Sequence, residues 1–163
     1  MSVVEAAGRA SAPAPAIPLH PEFLQRVRVL IVDDLAENRM MLGLCCDRFG
    51  LVHECVENGL QAVEAAQSGR FDVILMDTFM LRMDGMTATR AIRALAGPVA
   101  NVPIIAVSPA ATPGEVSVYL SCGMNDVVSR PVDPTRLLAA LSAALATVGR
   151  DRWPSVGPAK LSA

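Results

Sequence analysis

Three short, largely apolar runs stop at polar residues. VRVLIV (27–32) ends at Asp33-Asp34, FDVILM (71–76) at Asp77, and PIIAV (103–107) at Ser108. Runs that are apolar at nearly every position, rather than at every second one, belong to strands buried on both faces. Between them lie helix-length segments with Ala and Leu recurring at i, i+3 and i+4. Buried strands joined by helical crossovers imply a parallel sheet with helices on both sides.

Local signals fill in the elements. Asp34 with Glu37 three residues later reads as a capping box for a helix that carries Met40, Met41, Leu44 and Cys45 inward and stops before Gly50. A strand over 51–56 leads through Asn58-Gly59 to a helix over 60–68, with Leu60, Val63 and Ala66 on one side and Gly69 ending it. Asp84-Gly85 opens a helix over 86–96. Thr112, Pro113 and Glu115 take the N-cap, N1 and N3 places of another, which Gly123 ends. A short strand over 127–129 precedes Arg130-Pro131. Asp133-Pro134 then caps a last helix with Leu137, Leu138, Leu141 and Leu145 inward. The predicted architecture is α/β: a doubly wound, five-stranded parallel sheet flanked by five helices. Residues 1–24 and 150–163 read as a flexible Ala/Pro-rich extension and a flexible tail around a folded domain at 25–149.

Charge and composition exclude several classes. Fourteen Lys plus Arg against sixteen Asp plus Glu leave no basic stripe, so nucleic acid is not expected as a partner. The uncharged stretch 94–114 is broken by Pro98, Pro103, Pro109 and Pro113, so no membrane helix is expected. The N-terminus lacks the basic and continuous apolar regions of a secretory signal, which suggests a cytoplasmic protein. Cys45, Cys46, Cys55 and Cys122 show no metal-ligand spacing with His20 or His53 and read as buried free thiols.

The polar residues at the strand ends remain: Asp33, Asp34, Asp77, Ser108 and Arg130. In an open α/β sheet the functional crevice lies at the carboxyl ends of the strands. Alone, Asp34 is explained as a helix cap and Asp77 as a strand terminator. Together, three carboxylates on neighbouring strands repel unless one holds a proton or a cation is bound. All-oxygen donors without His or Cys suit a hard ion, and Mg²⁺ above all where a phosphoryl oxygen is to be accepted.

The stretches VLIVDDLAENRMML, DVILMDTFMLRMDGM, VPIIAVSPAA and GMNDVVSRPV, in this order and spacing, resemble the receiver (CheY-like) domain of two-component response regulators across about 27–148. The flavodoxin-like receiver fold is therefore expected. The resemblance implies that Asp77 accepts a phosphoryl group from a phosphohistidine of a sensor histidine kinase or a histidine phosphotransfer protein. It implies that Asp34 binds Mg²⁺ directly, Asp33 mainly through water, and that the Phe79 backbone carbonyl completes the protein ligands with Asp77. Ser108 supplies a hydroxyl and Arg130 a fixed charge, with the Arg130-Pro131 peptide cis. Such a chain catalyses its own phosphorylation and dephosphorylation. With no room for an output domain, it is expected to stand alone and to signal by docking a downstream protein.

Four positions depart from the family pattern. Arg130 stands where Lys is usual, in a chain whose only lysine is Lys160; Leu81 replaces Pro, Pro109 replaces Ala, and Val127 replaces a fifth-strand aromatic. The last departure predicts a muted response around that strand. Met80, Met83 and Met86 read as loop packing. The alternative is a pseudo-receiver that binds a partner or small ligand without phosphorylation. A haloacid-dehalogenase-type phosphohydrolase lacks its second Asp, since Phe79 stands there, and an FMN binder would meet Asp33-Asp34 where it needs a phosphate cradle.

Overall fold

The computed structural model describes residues 21–109 and 111–148. The expected extension and tail therefore lie largely outside the described residues, in 1–20 and 149–163. The elements run α1 (Pro21–Leu24), β1 (Arg28–Val32), α2 (Ala36–Arg48), β2 (Val52–Val56), α3 (Gly59–Gln67), β3 (Val73–Asp77), α4 (Gly85–Arg93), β4 (Ile104–Ser108), α5 (Pro113–Ser121), β5 (Asp126–Ser129) and α6 (Pro134–Thr147). A 3-10 turn, Pro98–Asn101, precedes β4. This turn and the one-turn α1 are additions to the five expected helices. Phe23 and Leu24 of α1 pack against the core.

All five strands are parallel, in the order β2-β1-β3-β4-β5. From β1 the chain lays β2 on one side and then returns to lay β3 on the other. The winding thus reverses between β1 and β3, and a crevice opens at their carboxyl ends. Every residue of β3 and β4 is buried, as continuous apolar runs demand. Alternation splits them into two cores. Val29, Ile31, Leu75, Ile105 and Val107 pack with Leu42, Leu137 and Leu141. Leu30, Val32, Ile74, Met76, Ile104 and Ala106 pack with Ala62, Ala88, Ile92 and Tyr119.

The capping residues of four helices behave as their types predict, Asp133 accepting from Thr135 N–H at the start of α6. Asn58 accepts from Gln61 N–H, Asp84 from Thr87 N–H, and Thr112 with Glu115 completes a reciprocal capping box before Pro113. Hydrogen bonds from Thr112 hold the Glu115 carboxyl below its usual range. The expected box at Asp34 does not form. Leu35 is the N-cap of α2, and its side chain has no acceptor to cap with; Asp34, one residue too early, accepts from Leu81 N–H instead, and Asp33 Oδ1 takes the Leu35 N–H at 2.9 Å.

The inward face of α2 also differs from expectation. Met40, Met41 and Leu44 are 66%, 53% and 63% exposed, and Leu42, Gly43 and Cys46 are buried instead. Two apolar stripes share this helix, and the sequence period fits either. Contact with β2 decides: a Cβ on Gly43 would lie 2.9 Å from His53 Nε2, so the helix presents its smallest side to that strand. In α3 the buried residues are Gly59, Ala62 and Ala66, Val63 is half-buried, and Leu60 turns outward. In α6, Leu137, Leu141 and Leu145 face inward and Leu138 is half-buried.

All four cysteines are free, as expected, but only Cys46 is buried. Desolvation, then the neighbouring Cys45, Asp47 and Cys55, push its thiol up to about 12. Cys45 and Cys122 are half-buried and Cys55 is exposed at the sheet edge. Among the described residues no helix is long and apolar enough to cross a membrane.

Candidate functional site

The crevice between β1 and β3 holds the three acids. Asp33, Asp34 and Asp77 each offer a carboxylate oxygen, and these oxygens all lie within 4.8 Å of one another. Asp33 is fully buried, Asp77 is 3% exposed, and Asp34 lies on the solvent side of the group. Position along the chain explains the difference. Asp33 continues the inward parity of Val29 and Ile31 just past β1, whereas Asp34 has begun the turn into α2.

Asp33 is held from several sides. Its Oδ1 accepts from Leu35 N–H and from the Asn38 amide at 3.2 Å, and Arg39 Nη1 donates to its backbone oxygen at 2.8 Å. Arg39 also bonds Glu57, the residue after β2. Sequence reading missed Asn38 and Arg39. Their signal was spacing, since residues five and six beyond the first acid after the strand sit on the first turn of the following helix and reach back to it.

Asp77 ends β3. Its Oδ1 accepts from Phe79 N–H at 3.2 Å, and Arg130 Nη1 lies 3.4 Å from the same oxygen. Burial, and then the charge of Asp33, push its carboxyl up to about 6, while the Phe79 N–H and the Arg130 guanidinium pull the other way. Arg130 Nη2 contacts Asp33 Oδ2, so one guanidinium spans Asp33 and Asp77. Its backbone N–H donates to Ser108 O at 2.8 Å, the Arg130-Pro131 peptide is cis, and the side chain is 20% exposed. The cation thus points into the site.

Ser108 ends β4 and is fully buried. Its Oγ lies 3.3 Å from the hydroxyl of Tyr119 on α5, a partner that sequence reading missed. One residue past β3, Thr78 donates its N–H to Val107 O at 3.3 Å and contains the one buried side-chain polar atom left without a partner among the described residues, Oγ1. Gly85 was read as a helix opening, and its stronger constraint is contact. A Cβ there would lie 2.1 Å from Asp77 O, so only glycine lets α4 start against the end of β3.

Two openings lead to the site. One, of about 350 Å³, lies beside Arg130 and is lined by Asn38, Met41, Leu42, Pro109, Pro131 and Val132. The other, of about 290 Å³, lies beside Asp34 and Leu81. The loop after β3 packs through Met80 and Met83, and α4 through Met86, against the second core, in line with their packing reading. Phe79 and Leu81 on the same loop are 59% and 80% exposed.

The donor set fits a hard divalent cation: carboxylate oxygens only, close together, with Asp34 on the solvent side. Such a cluster relieves its own repulsion by binding a cation, internal or dissolved.

Comparisons with known proteins agree on one family. The response regulator receiver domain model matches residues 29–142. The sensor protein GacS of Pseudomonas syringae is 37% identical over 112 residues, covering 68% of this chain and 12% of that protein. The histidine kinase BarA of Escherichia coli K12 is 34% identical over 121 residues, covering 74% of this chain and 13% of that protein. The chain therefore spans a small part of these curated relatives. Among solved structures, the receiver domain of a Pseudomonas aeruginosa PAO1 sensor histidine kinase, with magnesium in its active-site cleft, is 34% identical with a TM-score of 0.67. That match covers 73% of this chain and 97% of the other. Chemotaxis protein CheY4 of Vibrio cholerae is 28% identical with a TM-score of 0.67, covering 73% of this chain and 98% of that one.

Proposed function

This chain belongs to the response regulator receiver domain family of two-component signalling, and from that membership we propose that Asp77 accepts a phosphoryl group from a phosphohistidine. The observation that carries the proposal is the acidic triad at the point where the sheet reverses, with Asp77 on the strand end that faces the crevice. The donor is a sensor histidine kinase or a histidine phosphotransfer protein. An Asp77 carboxylate oxygen attacks phosphorus, the P–N bond breaks, and the imidazole leaves with the bonding pair and takes up a proton.

Phosphoryl transfer asks for in-line positioning and for cations around the equatorial oxygens. Asp34, Asp77 and the Phe79 backbone carbonyl would hold Mg²⁺, with Asp33 assisting through water. When bound, Mg²⁺ screens the carboxylates from one another and neutralises charge on the phosphoryl oxygens. Asp33 is suited to the indirect role because Leu35, Asn38 and Arg130 already occupy its oxygens. Arg130 offers its charge from the β5 side. Ser108 supplies a hydroxyl donor for one phosphoryl oxygen.

The exposed apolar face of α2, Met40, Met41 and Leu44, lies beside the larger opening and supports docking of a partner helix there. The output of the domain is through contact with a downstream protein rather than with nucleic acid. Free thiols throughout suit a cytoplasmic setting.

One observation favours the pseudo-receiver reading. The Arg130 guanidinium already spans Asp33 and Asp77, so the charge conflict has an internal answer. Intact-mass analysis after incubation with a small-molecule phosphodonor and Mg²⁺ separates the two readings. Phosphoacceptance predicts a gain of one phosphoryl group that disappears in excess chelator. A protein that gains no mass at any donor concentration is a pseudo-receiver.

A further inference from the structure

Helix α5 has one buried side chain in its nine residues, Tyr119, at 2% exposure; Val118 and Leu120 on either side are 50% and 46% exposed. The ring belongs to the core cluster that includes Ile104, Ala106, Met124 and, at its edge, Val127. Ala106 and Val127 are paired in the β4–β5 register, and both are small. The fifth strand therefore contributes no ring here, and a ring from the neighbouring helix packs in the same cluster. Ala106 and Ser108 share one face of β4. The tyrosine hydroxyl thus arrives at Ser108 Oγ, 3.3 Å away, with both groups out of solvent. The single buried anchor of α5 is tied to the hydroxyl that ends β4, the strand paired with the one that ends at Asp77.

We propose that Tyr119 is a positioning residue for Ser108: its hydroxyl holds the Ser108 hydroxyl toward α5, and a phosphoryl group on Asp77 competes for that hydroxyl. The inference rests on the phosphoacceptor reading of Asp77. When Ser108 turns to a phosphoryl oxygen, the Tyr119 hydroxyl loses this contact in a buried place, where an unmatched polar group is unfavourable. The ring then moves, or α5 shifts to give its hydroxyl a new partner. Either way the helix whose only inward anchor is Tyr119 reports the state of Asp77. By reciprocity, whatever weakens the Ser108–Tyr119 contact favours the phosphorylated state. Val127 therefore does not mute the response: it moves the responding aromatic from the strand to the helix.

The chain has a single tyrosine, so a ring-labelled sample gives one tyrosine signal in carbon-detected NMR. The test adds beryllofluoride with Mg²⁺, a phosphoryl mimic, to the wild type, Tyr119→Phe, Ser108→Ala and the double variant. Tyr119→Phe keeps the ring and removes only the hydroxyl. The expected results are a shift of the Tyr119 signal on addition in the wild type and its loss in Ser108→Ala. Tyr119→Phe should bind the mimic about twofold to tenfold more tightly, the span of one net hydrogen bond. In the Ser108→Ala background that substitution should change affinity no further. If the amides of Thr78 and Phe79 shift while the Tyr119 signal stays, or if Tyr119→Phe binds as the wild type does, the positioning role is wrong and phosphoacceptance stands. If no signal near Asp77 responds at any concentration, both are wrong.

Discussion

The two sides of the crevice are built differently. On the β1–β3 side, Asp33, Asp34 and Asp77 come from strand ends that successive apolar runs point to directly, and their carboxylate oxygens gather within 4.8 Å of one another. On the β4–β5 side, Ser108 and Arg130 stand at strand ends too. Yet what surrounds them comes from elsewhere: Tyr119 from α5 under Ser108, and a guanidinium where an ammonium is usual. The chemistry of the acid side depends on where strands stop, so it is held by backbone pairing. The response side depends on which side chains fill a shared space, and that space accepts a ring from a helix as readily as from a strand.

The largest effect should come from the acid side. Asp77→Ala should abolish the phosphoryl mass gain outright while leaving the fold intact, since its carboxylate is a source of repulsion rather than of packing. Retention of the gain would move the acceptor to another residue and break the contrast between the two sides.

Arg130 joins the sides, so removing its charge should show how far they depend on each other. Arg130→Met leaves the buried Asp33 carboxylate without its ion-pair partner and should cost about 2–4 kcal/mol in the absence of divalent cations. Saturating Mg²⁺ should restore much of that, because either cation relieves the same repulsion. Urea midpoints with and without Mg²⁺ measure both. A loss that Mg²⁺ leaves unchanged would mean that Arg130 acts by packing alone.

Asp77 should also tune stability with pH. Its carboxyl, pushed up to about 6, binds a proton more tightly in the folded protein than in the unfolded chain, where the usual value is 3.8. The folded state is therefore favoured at low pH, and this advantage is lost as pH rises from about 4 through about 6. Asp77→Asn removes the titration. Measured without Mg²⁺, it should be more stable than the wild type at pH 7 by about 3 kcal/mol, with the difference vanishing near pH 4. A difference independent of pH would contradict the charge conflict.

The smallest effect belongs to the outward face of α2. Leu44→Gln should change stability by less than about 0.5 kcal/mol, and Leu42→Ala by about 2–4 kcal/mol, because only the second opens the core. Equal losses would overturn the observed orientation of the helix.

These cases mark how far the sequence could be read. Strands and caps were legible because their signals are local: an apolar run ending at Asp77, or Thr112 three residues before Glu115. The facing of α2 was not, because Met40, Met41 and Leu44 form as good a stripe as Leu42 and Cys46 until Gly43 meets His53. Asp34 was read as a cap because its spacing to Glu37 allowed it, and the competition from Leu81 on a distant loop has no local signal. Gly85 is legible in the sequence only as part of a helix opening, because its contact with Asp77 is tertiary. Tyr119 left no trace at all: it is one ring in a helix, and its partner lies eleven residues away across a loop.

The central claim is that the β1–β3 side delivers a phosphoryl group to one carboxylate among three neighbours. Fragmentation mass spectrometry of the phosphodonor-treated chain tests it most directly by locating the added group. The account predicts a single phosphoryl group on Asp77, formed in the presence of Mg²⁺. A group found on Asp33, Asp34 or any residue outside the triad would contradict it.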